Sequence, residues 1–541
     1  MNAPLVRGAL WMALVLGGLL GCGGAAPSDV FLSCQSDEEC GGDSVCFGNG
    51  CGDPGKNIVV EVVPDPKAGG YAQDLPVQEL RDQQTLELSD PPVLQGQVRL
   101  QGVRTNVGYS APVEMTITGE SLLIPGVQRH QRSELVPMDG RYALPVGAGR
   151  YTVTVVAVDK SLPPVSNTRD MQPGRTQTLD FHLPAATELS PLPGVVLRQE
   201  SPLADVALEV QALDETLAPL SQRAPVQRDT GAFVLSVPTQ ALQRPVLILQ
   251  VVPTAADAQV PQKLFSVDPR RALSPLLLGD YGEPVRVQGK VLGPDRQPVV
   301  GAAVSVSGTV GGGGSYRSER VFTGADGAFT LTTLPSDVSA NAGMILAVVP
   351  PAPSGAGYTL RAITVPRGAS SLLPDVVCGE RIKVSGTLLR PSGSQPAAGV
   401  RVTATPIDEV DGQPRPLSTF DAARASDDTG RFDLALDPGI YRLDFVPTED
   451  LPRVSRIIAV RPPSPGSSSE PLMLSAFPLS KGRLITGQIL LAGERRVRAP
   501  ASNASIRVFR VQEVEGRPSA LLLAQTITSA NGTWYTTLPT R

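Results

Sequence analysis

From Asn57 to Arg541 apolar and polar side chains alternate in short bursts, and no stretch sustains a helical period. Val113, Met115 and Ile117 form one such burst, and Val206, Leu208 and Val210 another. Val304 with Val306, Val400 with Val402, and Ile506 with Val508 follow at similar intervals. A period of two puts these side chains on one face of an extended chain, which predicts half-buried strands of antiparallel sheets. An apolar-x-Gly-x-apolar box precedes each burst: LQGQV around Gly96, LPGVV around Gly194, VQGKV around Gly289, VSGTL around Gly386 and ITGQI around Gly487. The boxes are 98, 95, 97 and 101 residues apart, one small domain per step. Some 37 to 45 residues after each box a turn glycine is followed two positions later by an aromatic: Gly140 and Tyr142, Gly231 and Phe233, Gly327 and Phe329, Gly430 and Phe432, Gly532 and Trp534. Asp-Gly and Asn-Gly suit tight β-turns, and an aromatic at a fixed offset on a fixed face predicts a core plug. A third mark, an apolar strand usually closed by proline, falls at Pro64, Pro253, Pro350 and Pro447, with TVTVVAV near Val158 in the matching place.

The repeat predicts an all-β chain, a tandem array of about five small antiparallel β-sandwiches after a short disulfide-rich segment. Its expected divisions are a partial module over 57–91, sandwiches over 92–189, 190–284, 285–381 and 382–480, and a partial fifth sandwich over 481–541. Residues 57–91 match the closing half of a module and 481–541 an opening half. Either the unit is permuted, starting at the proline-closed strand, or each end carries an incomplete sandwich with exposed strand edges. Five modules of roughly 30 Å in line predict a stalk about 150 Å long.

The order of parts resembles the carboxypeptidase regulatory-like domain, a transthyretin-like or Cna-B-like sandwich. The matching residues are clearest from Val287 to Pro335 and from Val384 to Pro447. These motifs are structural turns, so the resemblance implies a fold and no chemistry. Some Cna-B-like domains join a Lys to an Asn or Asp by an isopeptide bond. Lys290 and Lys383 lie on early strands, but no equivalent Lys or partner recurs in the other modules, so no such bond is expected.

Residues 1–21 read as a targeting segment, with Arg7 before the apolar run Gly8 to Gly21. Fourteen residues of helix span about 21 Å, short of a bilayer core of about 30 Å. The run ends in Leu19-Leu20-Gly21-Cys22, which resembles the bacterial lipobox. That resemblance implies cleavage before Cys22, diacylglycerol on its thiol, and a lipid-anchored envelope protein, outer-membrane by default. Residues 22–33 would be a tether, and 34–55 a Cys-rich segment. Cys34, Cys40, Cys46 and Cys51 lie within 18 residues that are too poor in apolar side chains to form a core. Two disulfides are expected among them rather than zinc, because paired C-x2-C knuckles are missing and the compartment is oxidising. The pairing leaned to is Cys34–Cys46 with Cys40–Cys51. Cys378 has no local partner and reads as a small buried apolar residue.

Composition narrows the function classes. Net charge is −5, with 47 basic and 52 acidic side chains interspersed, and no basic block invites nucleic acid. Only seven of the cations are Lys, which reads as codon bias. His130 and His182 are the only histidines, and nothing places them near a nucleophile. The signatures HExxH, GxSxG and GxxxxGK[ST] do not occur, so no catalytic residue, metal or cofactor is expected. The tract Gly311 to Gly314 reads as a flexible hairpin loop. The expected function is a non-catalytic, lipid-anchored stalk, scaffold or adhesion array, with the membrane and envelope proteins or carbohydrate as partners. The rival reading is a glycan-, peptide- or peptidoglycan-binding surface lipoprotein.

Overall fold

A computed structural model describes residues 39–540 apart from 41–43, 48–50, 54, 66–70, 101–111, 130–131, 138, 159–161, 256–257, 338–342, 352–353, 369, 407–408, 411–412, 415–423, 448–450, 462–470, 492–497 and 515–516. The expected signal segment and the expected lipidation site Cys22 therefore lie outside the described residues, as do Cys34 and His130. Among the described residues the regular elements are strands, apart from short 3₁₀ turns such as Ala186–Glu188 and Thr239–Gln243.

One sheet plan recurs five times. The box strand lies at the centre of a small sheet: Val93–Leu100, Leu189–Leu197, Val285–Leu292, Ile382–Leu389 and Lys481–Leu491. On one side it pairs antiparallel with the strand carrying the plug aromatic, and on the other it pairs parallel with a short return strand. The facing sheet has four or five strands. There the alternating strand pairs with the proline-closed strand, as Ala303–Val310 does with Met344–Val349. The two sheets bury their apolar faces against each other, the ordinary means of making a small sandwich.

The register explains why the box needs glycine. Gly96 lies directly opposite Tyr142, Gly194 opposite Phe233, Gly289 opposite Phe329, Gly386 opposite Phe432 and Gly487 opposite Trp534. Directly paired residues share a sheet face, so each aromatic ring lies over the glycine and fills the space its side chain would take. A Cβ on Gly289 would stand 2.9 Å from the Phe329 ring, and one on Gly487 2.7 Å from Trp534. All five aromatics are buried, at 2–7% exposure. The turn glycine answers a second constraint. Gly327 has φ 73°, and its carbonyl accepts the Val291 amide, so the plug hairpin is stitched to the box strand just beyond the box.

The stretches 57–91 and 481–541 do not make separate half-sandwiches with open edges. Ile58–Val63 pairs antiparallel with Ser505–Val514, from Ile58 opposite Arg510 to Val63 opposite Ser505. Gln84–Glu87 pairs parallel with the box strand beside Gly487. Ile58, Val60, Val62, Leu86 and Leu88 share one buried core with Ile485, Ile489, Ile506, Val508 and Trp534. The early stretch supplies the proline-closed strand, the strand after it and the return strand. The late stretch supplies the rest. The physical reason is that neither stretch owns both sheets, so each can bury its apolar face only on the other.

This pairing overturns the straight stalk. The closing module leads directly into module one, from Glu87 to Val93, and directly out of module four, from Pro478 to Lys481. The chain is thus a closed circuit of five sandwiches. In such a circuit no module is more than two contacts from another, so the span is at most about 90 Å for units of roughly 30 Å. Small-angle scattering on the chain without residues 1–33 is expected to give a largest dimension near that bound. A rod of about 150 Å would mean that the two stretches separate in solution.

Candidate functional site

The closing module is also where buried charge is concentrated. Glu61 lies on the strand Ile58–Val63 and Asp74 on its neighbour Gln73–Val77, and Arg129 of module one reaches both carboxylates. Arg129 Nη1 stands 2.5 Å from Glu61 Oε1, its Nη2 donates to Asp74 Oδ2, and its Nε donates to the Ala148 carbonyl at 3.0 Å. Glu61 also takes Arg507 from the opposite strand, and Ser121 donates to Asp74. The side chains of Arg129, Glu61 and Asp74 are 1–4% exposed. Beside them Val59, Ile124 and Phe509 form a small apolar contact between the two modules. A buried ion cluster of this kind contributes little net stability but penalises any other seating, because a displaced partner leaves a charge unpaired.

The Cys-rich segment packs against the same module. Val45–Cys46 and Cys51–Gly52 form a two-stranded ribbon, and Cys40–Cys51 is a disulfide. Cys46 is disulfide-bonded as well. Val45 and Phe47 are buried in the closing module's core, so the staple is part of the fold rather than a free base. The Arg510 guanidinium stacks 4.1 Å from the Phe47 ring centroid. Burial pushes its pKa down, with Asp53 opposing the shift. From module four, Arg456 Nη1 donates to the Cys46 carbonyl at 3.0 Å. The segment therefore wedges between modules four and five.

Arginines also key other junctions. Arg198 packs 4.5 Å from the Tyr281 ring centroid, donates to the Gly282 carbonyl at 2.8 Å and pairs with Glu283 at 2.7 Å, all at the link between modules two and three. Arg381 donates to the Pro350 carbonyl at 3.2 Å and stands 3.5 Å from Asp437 of module four, whose Oδ1 accepts the Tyr358 amide of module three. At these sites a planar, permanently charged fork satisfies carbonyls and carboxylates together, which an ammonium does less well. These junction arginines thus have a structural use of their own.

The glycine tract at 311–314 is a second correction. It does turn the hairpin between Ala303–Val310 and Gly314–Arg317, but it is packed against module two rather than free. A Cβ on Gly312 would meet Gly279 Cα at 2.8 Å, one on Gly314 would meet Pro261 at 2.7 Å, and Lys263 donates to the Gly312 carbonyl. At Gly311, Gly312 and Gly314 the surroundings come closer than a side chain allows, whereas Gly313 has open space and takes φ 79°.

The remaining candidates are scattered. His182 is exposed on the strand Phe181–Leu183. Cys378 is a buried free thiol whose pKa burial pushes up. Lys290 is exposed, and Lys383 makes a half-exposed ion pair with Asp433 at 3.3 Å. An open cleft of about 930 Å³ lies beside the closing module, lined by Lys56, Glu79, Arg81, Glu87 and Arg483 among others. Glu79 and Arg81 pair with each other there at 2.7 Å.

No family model matches this chain, and no curated protein matches it. Among solved structures, a streptococcal ancillary pilin is 15% identical over 53% of this chain and 98% of its own, with a TM-score of 0.21. The shaft pilin SpaA from Lactobacillus rhamnosus GG is 12% identical over 36% of this chain and 98% of its own, with a TM-score of 0.18. The Bacillus anthracis TIE protein is 12% identical over 71% and 73%, with a TM-score of 0.17. At such scores these likenesses carry no argument about function.

Proposed function

We propose that this chain is a non-catalytic scaffold of the bacterial cell envelope, held to the membrane through lipid on Cys22. The observation that carries the reading is where the repeated residues go. The five box glycines and five aromatics are spent on the cores, and the buried arginines Arg129, Arg381 and Arg456 on holding one module to the next. A repeated binding module would instead present the same aromatic or polar group on successive surfaces. Exposed aromatics such as Phe322 and Tyr535 sit at unmatched positions in their modules. The Cys40–Cys51 disulfide fits an oxidising compartment.

In cells, Cys22→Ala is expected to move the protein from the membrane fraction to a soluble or unprocessed pool. Detergent-dependent membrane association that survives the substitution would overturn the anchor. For the scaffold role, pull-down of the full chain from envelope extracts should recover envelope proteins. Saturable binding to purified glycan or peptidoglycan would favour the binding lipoprotein instead.

A further inference from the structure

The closing module consists of two stretches that no short connection joins. Glu61 and Arg507 are bonded partners 446 positions apart, and the path between them runs through four complete sandwiches. Nothing in the module's own hydrogen bonds requires that both stretches belong to one molecule. We propose that the closing module is also a self-association site, at which residues 57–88 of one copy complete residues 481–540 of a second copy.

Three features carry this. First, separation of the stretches leaves a surface that must be covered. Ile58, Val60, Val62 and Leu86 would lose their partners Ile506, Val508, Ile489 and Trp534, and Ser505–Val514 would become an open strand edge. An exposed, apolar strand edge is a template for an identical strand from another chain. Second, the surface that fits it is specific: a six-residue antiparallel register and a four-residue parallel one, with Glu61 between Arg129 and Arg507. Only another copy of this chain offers all of that. Third, the split leaves the early stretch seated on its own module one. Glu61 and Asp74 stay with Arg129 of their own module one, and Gln73 stays bonded to Ser89 at the exit toward that module. Exchange of an element between protomers remakes every contact of the closed form, so only effective concentration decides between closing on itself and joining a neighbour.

The test uses two full-length variants, Val63→Cys and Ser505→Cys, whose positions face each other in the pairing register. Each alone has one half of the pair. They are mixed, unfolded and refolded together, at low and at high protein concentration, then oxidised and run without reductant. Exchange predicts a covalent dimer whose linked peptides contain both substituted positions, with a yield that rises roughly in proportion to concentration. The chain carrying both substitutions serves as the folding control and should form the link within one molecule. If that control links internally while the mixture yields no covalent dimer at any concentration, the proposal is overturned. Equal dimer from either single variant refolded alone would also overturn it, because such links report random collision.

Discussion

Arg129→Met is expected to destabilise the closing module by about 3–5 kcal/mol, the usual result of removing one partner from a buried ion pair. The substitution keeps the length and apolar stem of the side chain but leaves Asp74 without its guanidinium and Glu61 with Arg507 alone. Both carboxylates are almost wholly out of water, so the loss is the desolvation of charge rather than of packing. The measurement is convenient. In the chain without residues 1–33, Trp534 is the sole tryptophan, and it sits in the closing module's core. Its emission during urea unfolding should shift to a lower midpoint in the variant. Arg150→Met removes an ion pair with Asp170 that is about half exposed on both sides, and should leave that midpoint where it is. Equal midpoints for Arg129→Met and the unsubstituted chain would show that the junction between modules five and one is open in solution. The closed circuit rests on the pairing of Ile58–Val63 with Ser505–Val514 and would stand without that junction.

Much of the fold was legible because its signals are local. The period-two bursts, the turn glycines and the plug aromatics each act within a few residues of themselves, and all five aromatics are where the repeat puts them. The direct pairing of box glycine with aromatic was legible only in part. Both marks recur at steady intervals, but their contact spans some forty residues and depends on register. The closure was foreshadowed by two complementary halves, yet sequence alone left open whether they meet. That choice depends on how four intervening modules are angled, and the angles are set by side chains with no repeat. Arg129, Arg198, Arg381 and Arg456 occupy different places in their modules, so no periodic reading finds them. A further signal was present in the glycine tract at 311–314, since glycine permits close backbone approach as well as looseness.

Phe329→Ala separates two pictures of how these modules cooperate. Loss of a buried Phe ring is expected to cost about 3–5 kcal/mol. No neighbour is positioned to refill the site, because the opposite residue is Gly289. In a simple array the damage stays in one repeat, as each module meets its neighbours only at a thin interface. Modules two and three are not so separate. Their buried residues form one continuous core, running from Leu192 through Leu278 and Tyr281 to Val310 and Phe329, and the backbones at Gly279 and Gly312 lie against each other. Module four has a core of its own around Phe432. Hydrogen exchange followed by mass spectrometry should therefore show peptides from both 189–277 and 285–377 losing protection together in Phe329→Ala. Phe432→Ala should loosen 382–479 alone. Loss confined to 285–377 in the first variant would show that the shared core is a contact without cooperativity, and the circuit would then unfold one sandwich at a time.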